Sequence, residues 1–423
     1  MPVAQVTLKA AASLLAALLA ASPSLAETDP IGEMIGGLGE TGASEPLDPE
    51  TTGSIETQPA PLVPLQPTAP RAAAPRAAAE TQAYPVDLLI ALANDAVFTK
   101  DPYPRGRQSD PRMIKLQVLL DRNHASPGVV DGIFGDNVVK AVMAFEEMQG
   151  HPVDGVLDVE LWAALEQTSA EPVLTSYVIT PEDVAGPFVP VMPQDYAEQA
   201  QLPGLSYRNA AELLAERFHM DEAFLRRLNP DVTFTEAGAE IVVANPGKPL
   251  KAKVADIVAD KARKQLRGYD AAGKLIVAYP ATIGSADLPS PTGLHAVKAI
   301  AIDPEYWYRP KVNFVQGTNT KALRLPPGPN GPVGATWVGL DKPTYGLHGT
   351  PEPSKIDKTN SHGCVRLTNW DARELAGLVA PGVVVDFQEP PAPAIAVDAG
   401  PAEFDGAPTG EQPLPLVDRR AER

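Results

Sequence analysis

Between Tyr345 and Leu367 the chain gathers its only cysteine, Cys364, two of its six histidines, His348 and His362, one arginine, Arg366, and closely set glycines. The text runs YGLHGT, PEPSKIDKTN, SHGCVRL. These residue types suit thiol chemistry: a cysteine attacks as its thiolate, and a neighbouring imidazole or cation lowers the cost of forming that charge. If the segment around Cys364 is extended, His362 shares its face, because strand side chains alternate with period two. His348 must arrive by a loop return. A general base works only within about 2.6–3.2 Å of the proton it takes, and spacing alone leaves open which histidine serves. The same residues could hold zinc. No fourth donor stands near the three, so neither a metal nor another cofactor is expected. His124, His151, His219 and His295 read as surface or packing residues.

Whether a lone thiol is kept for reactivity depends on its compartment. The chain opens with Lys9 as its only early basic side chain, continues through an Ala/Leu run from Ala10 to Ala21 and reaches Ser24-Leu25-Ala26. That pattern reads as a secretory signal, 1–26, cleaved after Ala26. Its apolar run falls short of the ~20 residues needed to span a bilayer, and no cysteine follows it for lipid attachment. The mature protein is therefore expected outside the cytoplasm, periplasmic or secreted, with no transmembrane anchor after cleavage. In an oxidising compartment one cysteine cannot form an intramolecular disulfide, which leaves inert burial or retained reactivity. Composition alone favours inert burial.

Net charge is −18 from 35 basic and 53 acidic side chains. Nucleic acid is thereby excluded as a partner, since phosphate binding needs a basic face. Much of the acidity lies in the flanks. Residues 27–82 are rich in Pro, Ala, Gly, Thr and Glu and cannot bury enough apolar surface to fold, so they read as a disordered linker. The tail 389–423 reads the same way.

The elements that must position the site lie between these flanks. Over 86–168 apolar residues recur at helical spacing in three groups: Ile114, Leu116, Leu119 and Leu120; Val138, Val139, Val142 and Phe145; Leu161, Trp162 and Leu165. Three short helices are expected. Val130-Asp131-Gly132-Ile133 and Val153-Asp154-Gly155-Val156 form a small internal repeat of turns, glycine allowing the positive φ a tight turn needs. Segment 175–247 combines a strand-like start at Tyr177, a helix in AAELLAERFH, the element Leu228-Asn229-Pro230 and a strand at Ile241–Val243, with an insertion from Ala185 to Leu205. From Lys253 the period shifts to two, and Asp270 to Gly273 make a hairpin turn. Short strands punctuated by Gly and Pro predict an all-β sandwich or barrel over 252–388. One inserted helix from Trp370 to Val379, capped by Thr368 or Asn369, and a closing strand Val383–Phe387 complete it. The fold class is multidomain α+β.

Three resemblances give these parts meaning. LQVLL, DGIFGDNVVKAVMAF and VDGVLDVELWAAL resemble the peptidoglycan-binding type 1 module, departing from it at Glu146, where Gln is usual. Segment 175–247 resembles a LysM carbohydrate-binding module. The HGT of 348–350 and the SHGCVR of 361–366, with Ile283-Gly284, the Ser290-Pro291-Thr292-Gly293 turn and Gly331-Pro332-Val333-Gly334 ahead of Trp337, resemble the YkuD-type L,D-transpeptidase domain.

That last resemblance implies Cys364 as nucleophile and His348 as base and acid, its ring oriented by the Gly349 carbonyl. Ser361 and His362 would line the cleft and steady the thiolate. Arg366 would bind a substrate carboxylate or hold the loop, and Tyr345 would also meet substrate. The Cys364 N–H, with Gly363 allowing close approach, would stabilise the oxyanion. Tyr306, Trp307, Tyr308 and Arg309 resemble a lid, with plain core packing the alternative. The implied partners are peptidoglycan stem peptides and glycan. The acyl acceptor would be a second stem amine, giving a 3→3 cross-link, or water, or a protein lysine. A cysteine peptidase of the wall and a non-catalytic wall-binding scaffold are the rival functions.

Overall fold

In the computed structural model the described residues are 85–101, 103, 108–285, 288–312, 314–359, 361 and 363–390. The expected signal peptide, the linker, His362 and the chain from 391 onward lie outside them. No helix among the described residues is long and apolar enough to cross a membrane.

Among these residues four helices, not the expected three, occupy 86–168: α1 (Val86–Asn94), α2 (Pro111–Arg122), α3 (Asp136–Gln149) and α4 (Val159–Gln167). The first has no clear stripe because VDLLIALAN is apolar almost all round; Leu89 and Ala93 are buried while Leu88 and Leu92 are exposed. Asp110 caps α2 by accepting from the Arg112 N–H at 2.8 Å, and Asp158 caps α4 by accepting from Leu161 N–H at 2.8 Å. The two Asp-Gly turns are held alike. Gln117 Oε1 accepts from the N–H groups of Asp131 (3.1 Å) and Gly132 (2.8 Å). Glu146 Oε2 accepts from those of Asp154 (3.0 Å) and Gly155 (2.9 Å). Glu146 thus fills in the second half of the repeat the place Gln117 fills in the first.

Downstream, β1 (Leu174–Val178) pairs antiparallel with β2 (Glu240–Ala244), from Leu174 opposite Ala244 to Val178 opposite Glu240. Between them run α5 (Pro181–Ala185), α6 (Tyr196–Gln199), α7 (Ala210–Arg217) and α8 (Glu222–Leu228). Asn229 closes α8. Its amide donates to Leu225 O and Val242 O, both at 2.9 Å, and accepts from Val242 N–H at 2.7 Å, tying the helix end to β2. The LysM-like reading of 175–247 is a proposal that rests on this element.

The remaining strands are β3 (Asp256–Asp260), β4 (Gln265–Tyr269), β5 (Leu275–Pro280), β6 (Thr282–Ile283), β7 (Gly293–Ile302), β8 (Tyr306–Tyr308), β9 (Leu323–Leu325), β10 (Thr336–Leu340), β11 (Gly346–His348), β12 (Val365–Arg366) and β13 (Val384–Gln388). Nine form one mixed sheet in the order β5-β4-β3-β13-β7-β10-β11-β12-β6, while β8 and β9 make a separate hairpin. The two edge strands, β5 and β6, are consecutive in the chain with only Ala281 between them, so the sheet curls almost to closure. Helix α9 (Asn369–Leu378), capped by Thr368, packs Ala372, Leu375 and Leu378 against Val297, Val338, Leu347 and Val365 of this barrel. Its last strand is not at the rim: β13 sits mid-sheet, parallel to β3 and antiparallel to β7.

The helical part and the barrel are joined by backbone. Residues 124–126 lie along the outer edge of β5: Ser126 N–H donates to Ala278 O and Ala278 N–H donates to His124 O, each at 2.8 Å. That edge would otherwise present unpaired peptide groups. One apolar core runs from Leu89 and Phe145 through Leu214, Phe224 and Ile241 to Leu275 and Ala278 of β5. Polar contacts reinforce the junction. His219 Nδ1 lies 2.8 Å from Asp121 Oδ2, with its ring stacked on Trp370 at 5.0 Å, and His124 Nδ1 lies 2.9 Å from Glu374 Oε1.

Candidate active site

Strand register decides which side chains meet. β11 and β12 run parallel, with Leu347 opposite Val365 and His348 opposite Arg366. Leu347 and Val365 are fully buried in the barrel core. Alternation then turns His348, Arg366 and Cys364, the residue just before β12, onto the other face. His348 and Cys364 are therefore diagonal neighbours on adjacent strands. The loop return between them includes a 3-10 turn at Pro353–Lys355.

His348 is buried, and its Nδ1 lies 2.7 Å from the Gly349 carbonyl oxygen. A carbonyl can only accept, so Nδ1 carries the hydrogen and Nε2 keeps its lone pair. The Trp337 ring stacks on the imidazole at 5.5 Å. Burial, with the positive field of Arg366, pushes His348 down to about 3. Burial pushes the half-buried Cys364 thiol up to about 11, against smaller lowering effects from the Gly346 backbone and Arg366. The resting pair is a neutral thiol beside a neutral imidazole, rather than the thiolate that sequence reasoning assumed. The thiol donates to Thr344 O at 3.6 Å.

Other sequence-singled residues fall around this pair. Ser361 is buried and its hydroxyl donates to the Cys364 carbonyl at 2.6 Å, which holds the turn and not the sulfur. Gly363 has φ +103°, and a Cβ there would stand 2.9 Å from Tyr345 Cε1, so the approach of Tyr345 to the cysteine turn requires glycine. Lys342 Nζ sits 4.2 Å over the Tyr345 ring. His362 lies outside the described residues. Among those that are described, no group of three or more His, Cys, Asp or Glu is arranged to hold a metal ion.

Sequence reasoning missed several neighbours. Thr344, in the β10–β11 turn, sits outside the motif text, and Trp337 of β10, named there only as a marker of motif order, was not foreseen as the ring stacked on His348. Tyr196 comes from the 185–205 insertion, yet its ring packs edge-on to Tyr306 and Tyr308 of the β8–β9 hairpin at 6.1 and 5.3 Å. Arg366 is among the charges acting on both Tyr196 and Tyr306, and Cys364 is among those acting on Tyr306. The only signal for such a contact was the insertion itself, which interrupts an otherwise regular segment.

The chain has the following similarities to known proteins. Residues 255–386 match the YkuD family model, described as "L,D-transpeptidase catalytic domain", and residues 109–165 match a "Putative peptidoglycan binding domain". Two curated relatives are both named "Putative L,D-transpeptidase YkuD". That of Bacillus licheniformis is 49% identical over 61 residues, covering 14% of this chain and 37% of the relative. That of Bacillus subtilis (strain 168) is 28% identical over 173 residues, covering 41% of this chain and 89% of the relative. Among solved structures, an L,D-transpeptidase from Mycobacterium smegmatis aligns at 20% identity and TM-score 0.27, covering 36% of this chain and 64% of that one. The chain thus spans about a third of one curated relative and most of the other. It carries, behind a peptidoglycan-binding domain, a YkuD-family L,D-transpeptidase catalytic domain.

Proposed function

We propose that the protein acylates Cys364 with a peptidoglycan stem tetrapeptide and passes the acyl group to an amine, forming 3→3 cross-links in the wall. The supporting observation is the shared face of Cys364 and His348, with the imidazole locked by Gly349 so that Nε2 is the proton acceptor. In the first step the thiol turns from Thr344 toward His348. Sulfur bonds to the carbonyl carbon of the third residue as Nε2 takes the thiol proton. The C–N bond to the terminal D-alanine breaks, and His348 returns the proton to the departing amine. In the second step an acceptor amine attacks the thioester, gives its proton to Nε2, and the Cys364 sulfur leaves and is reprotonated. The Cys364 N–H, approached over Gly363, stabilises the oxyanion, and Arg366 supplies positive charge to a substrate carboxylate.

Export by the 1–26 signal brings this chemistry to the wall, where the peptidoglycan-binding domain raises local concentration by tethering. The test is to incubate the full-length protein with a tetrapeptide stem and resolve protein and products by mass. A thioester on Cys364, released D-alanine and a stem dimer are expected. Tripeptide alone would make the enzyme a carboxypeptidase, and mass added to a protein lysine would make it an attachment enzyme. Undiminished product from Cys364→Ala would overturn the proposal.

A further inference from the structure

The β8–β9 hairpin, whose Tyr306 feels the charge of Cys364, has strands of only three residues each. A two-stranded hairpin of that size is marginal by itself. Its support comes from the 185–205 insertion. Leu205, Tyr308 and Leu325 are fully buried in a small core of their own, with Met192, Tyr196, Leu202, Tyr306 and Leu323 packed around it.

The middle and the C-terminal end of the insertion are both tied to the loops that flank the hairpin strands. At its middle Tyr196 N–H donates to Gln316 Oε1 at 3.2 Å, Gln316 Nε2 to Gln194 O at 2.8 Å, and Asn319 Nδ2 to Asp195 Oδ1 at 2.9 Å. At its C-terminal end Leu205 N–H donates to Pro327 O and Asn330 N–H to Leu205 O, both at 2.9 Å. Gly328, at φ +151°, lies so close to the Leu205 backbone that any Cβ would collide with it. Beside the first of these ties the Tyr196 ring meets Tyr306, Tyr308 and Phe314 edge-on.

Resting on the reading of Cys364 as an acyl carrier, we propose that this insertion, with Tyr196 at its centre, is a positioning element for the donor peptide, bracing the hairpin as a roof over Cys364 from outside the catalytic domain. Tyr196 acts through the hairpin, by ring packing. Its phenol, pushed up to about 12 by burial, stays neutral.

The test uses the full-length protein and two readouts: steady-state acylation by a tetrapeptide stem, and alkylation of Cys364 by iodoacetamide under native conditions. Loosening the roof should weaken the grip on peptide and open the thiol to a small reagent, so the two change in opposite directions. Tyr196→Ala should raise KM about tenfold with kcat little changed, and speed alkylation several-fold. Tyr196→Phe keeps the ring and should match the wild type in both. Asn319→Ala, which cuts one tie without touching the small core, should shift both readouts the same way by less, and serves if Tyr196→Ala fails to fold. Unchanged KM and alkylation in Tyr196→Ala and Asn319→Ala would overturn the proposal. So would a Tyr196→Phe defect as large as that of Tyr196→Ala, which would make the hydroxyl a direct substrate contact. A wild type that forms no thioester sinks the acyl-carrier reading instead, and the alkylation comparison still decides whether the insertion braces the roof.

Discussion

His348 stands opposite Arg366 across the parallel β11–β12 pair, which puts the imidazole, the guanidinium and the preceding Cys364 on one face of the barrel. The positive field of Arg366 favours an anionic sulfur and disfavours an imidazolium, and burial opposes charge on either.

A resting thiol and imidazole that are both neutral give a distinctive pH profile. The plot of kcat/KM reports the ionisations of the free enzyme. With His348 near 3 and Cys364 near 11, it should run flat from about pH 5 to 8, without the inflection near 6.5 of an ordinary histidine. A stopped-flow acylation series over that range checks it, and a half-maximal point within one unit of 6.5 would refute it.

Alkylation of Cys364 without substrate should be slow at neutral pH and rise about tenfold per pH unit up to about 10, because only the thiolate reacts. Timed iodoacetamide labelling read by mass gives the slope; a plateau at pH 7 would mean a preformed ion pair.

Replacing the proposed base should separate its role from that of the proposed nucleophile. His348→Ala should lower kcat by about 10²–10⁴-fold, the usual worth of general base catalysis, while Cys364→Ala should form no thioester at all. Equal residual acylation in His348→Ala and the wild type would remove His348 from the mechanism.

Glu146 is expected to matter for folding, not chemistry. Glu146→Ala leaves the N–H groups of Asp154 and Gly155 without their acceptor and should cost about 1–3 kcal/mol. Glu146→Gln keeps an acceptor oxygen and should cost much less. Urea unfolding of the three proteins tests this, and equal midpoints for Glu146→Ala and the wild type would disprove it.

Glu216 links α7 to the catalytic domain: its carboxylate accepts from Asn369 Nδ2 at 2.9 and 3.2 Å. Burial, and secondarily Glu212, pushes it up to about 8, above its ordinary 4.5. A raised folded-state value means a contribution present in full below about 4.5 and lost as pH climbs through about 8. Glu216→Gln removes that loss. Between pH 5 and 8 its melting temperature should fall less than that of the wild type, by roughly 2–4 °C for each kcal/mol relieved. Parallel melting curves would show that Glu216 ionises as easily folded as unfolded.

Local features of this chain can be read from sequence, and long-range ones mostly cannot. The α9 helix, its Thr368 cap and the β4–β5 hairpin are written in neighbouring residues, and the order of the motifs points to the barrel. The mid-sheet place of β13 depends on pairing with β3 and β7, more than eighty residues upstream, which no local pattern records. Trp337 on His348 and Tyr196 on the hairpin are hidden for the same reason. The neutral thiol escaped notice because burial, which sets its ionisation, belongs to the fold and not to the residue types.

The three residues that run along the outer edge of β5, with the apolar core they share, make the segment that matches a peptidoglycan-binding domain and the barrel a single caliper. Beads on a string would sample many separations between the helical segment and the face that carries Cys364; this frame offers one span. Under the proposed function, the distance between an anchored strand and a stem peptide at Cys364 would then be set by the protein.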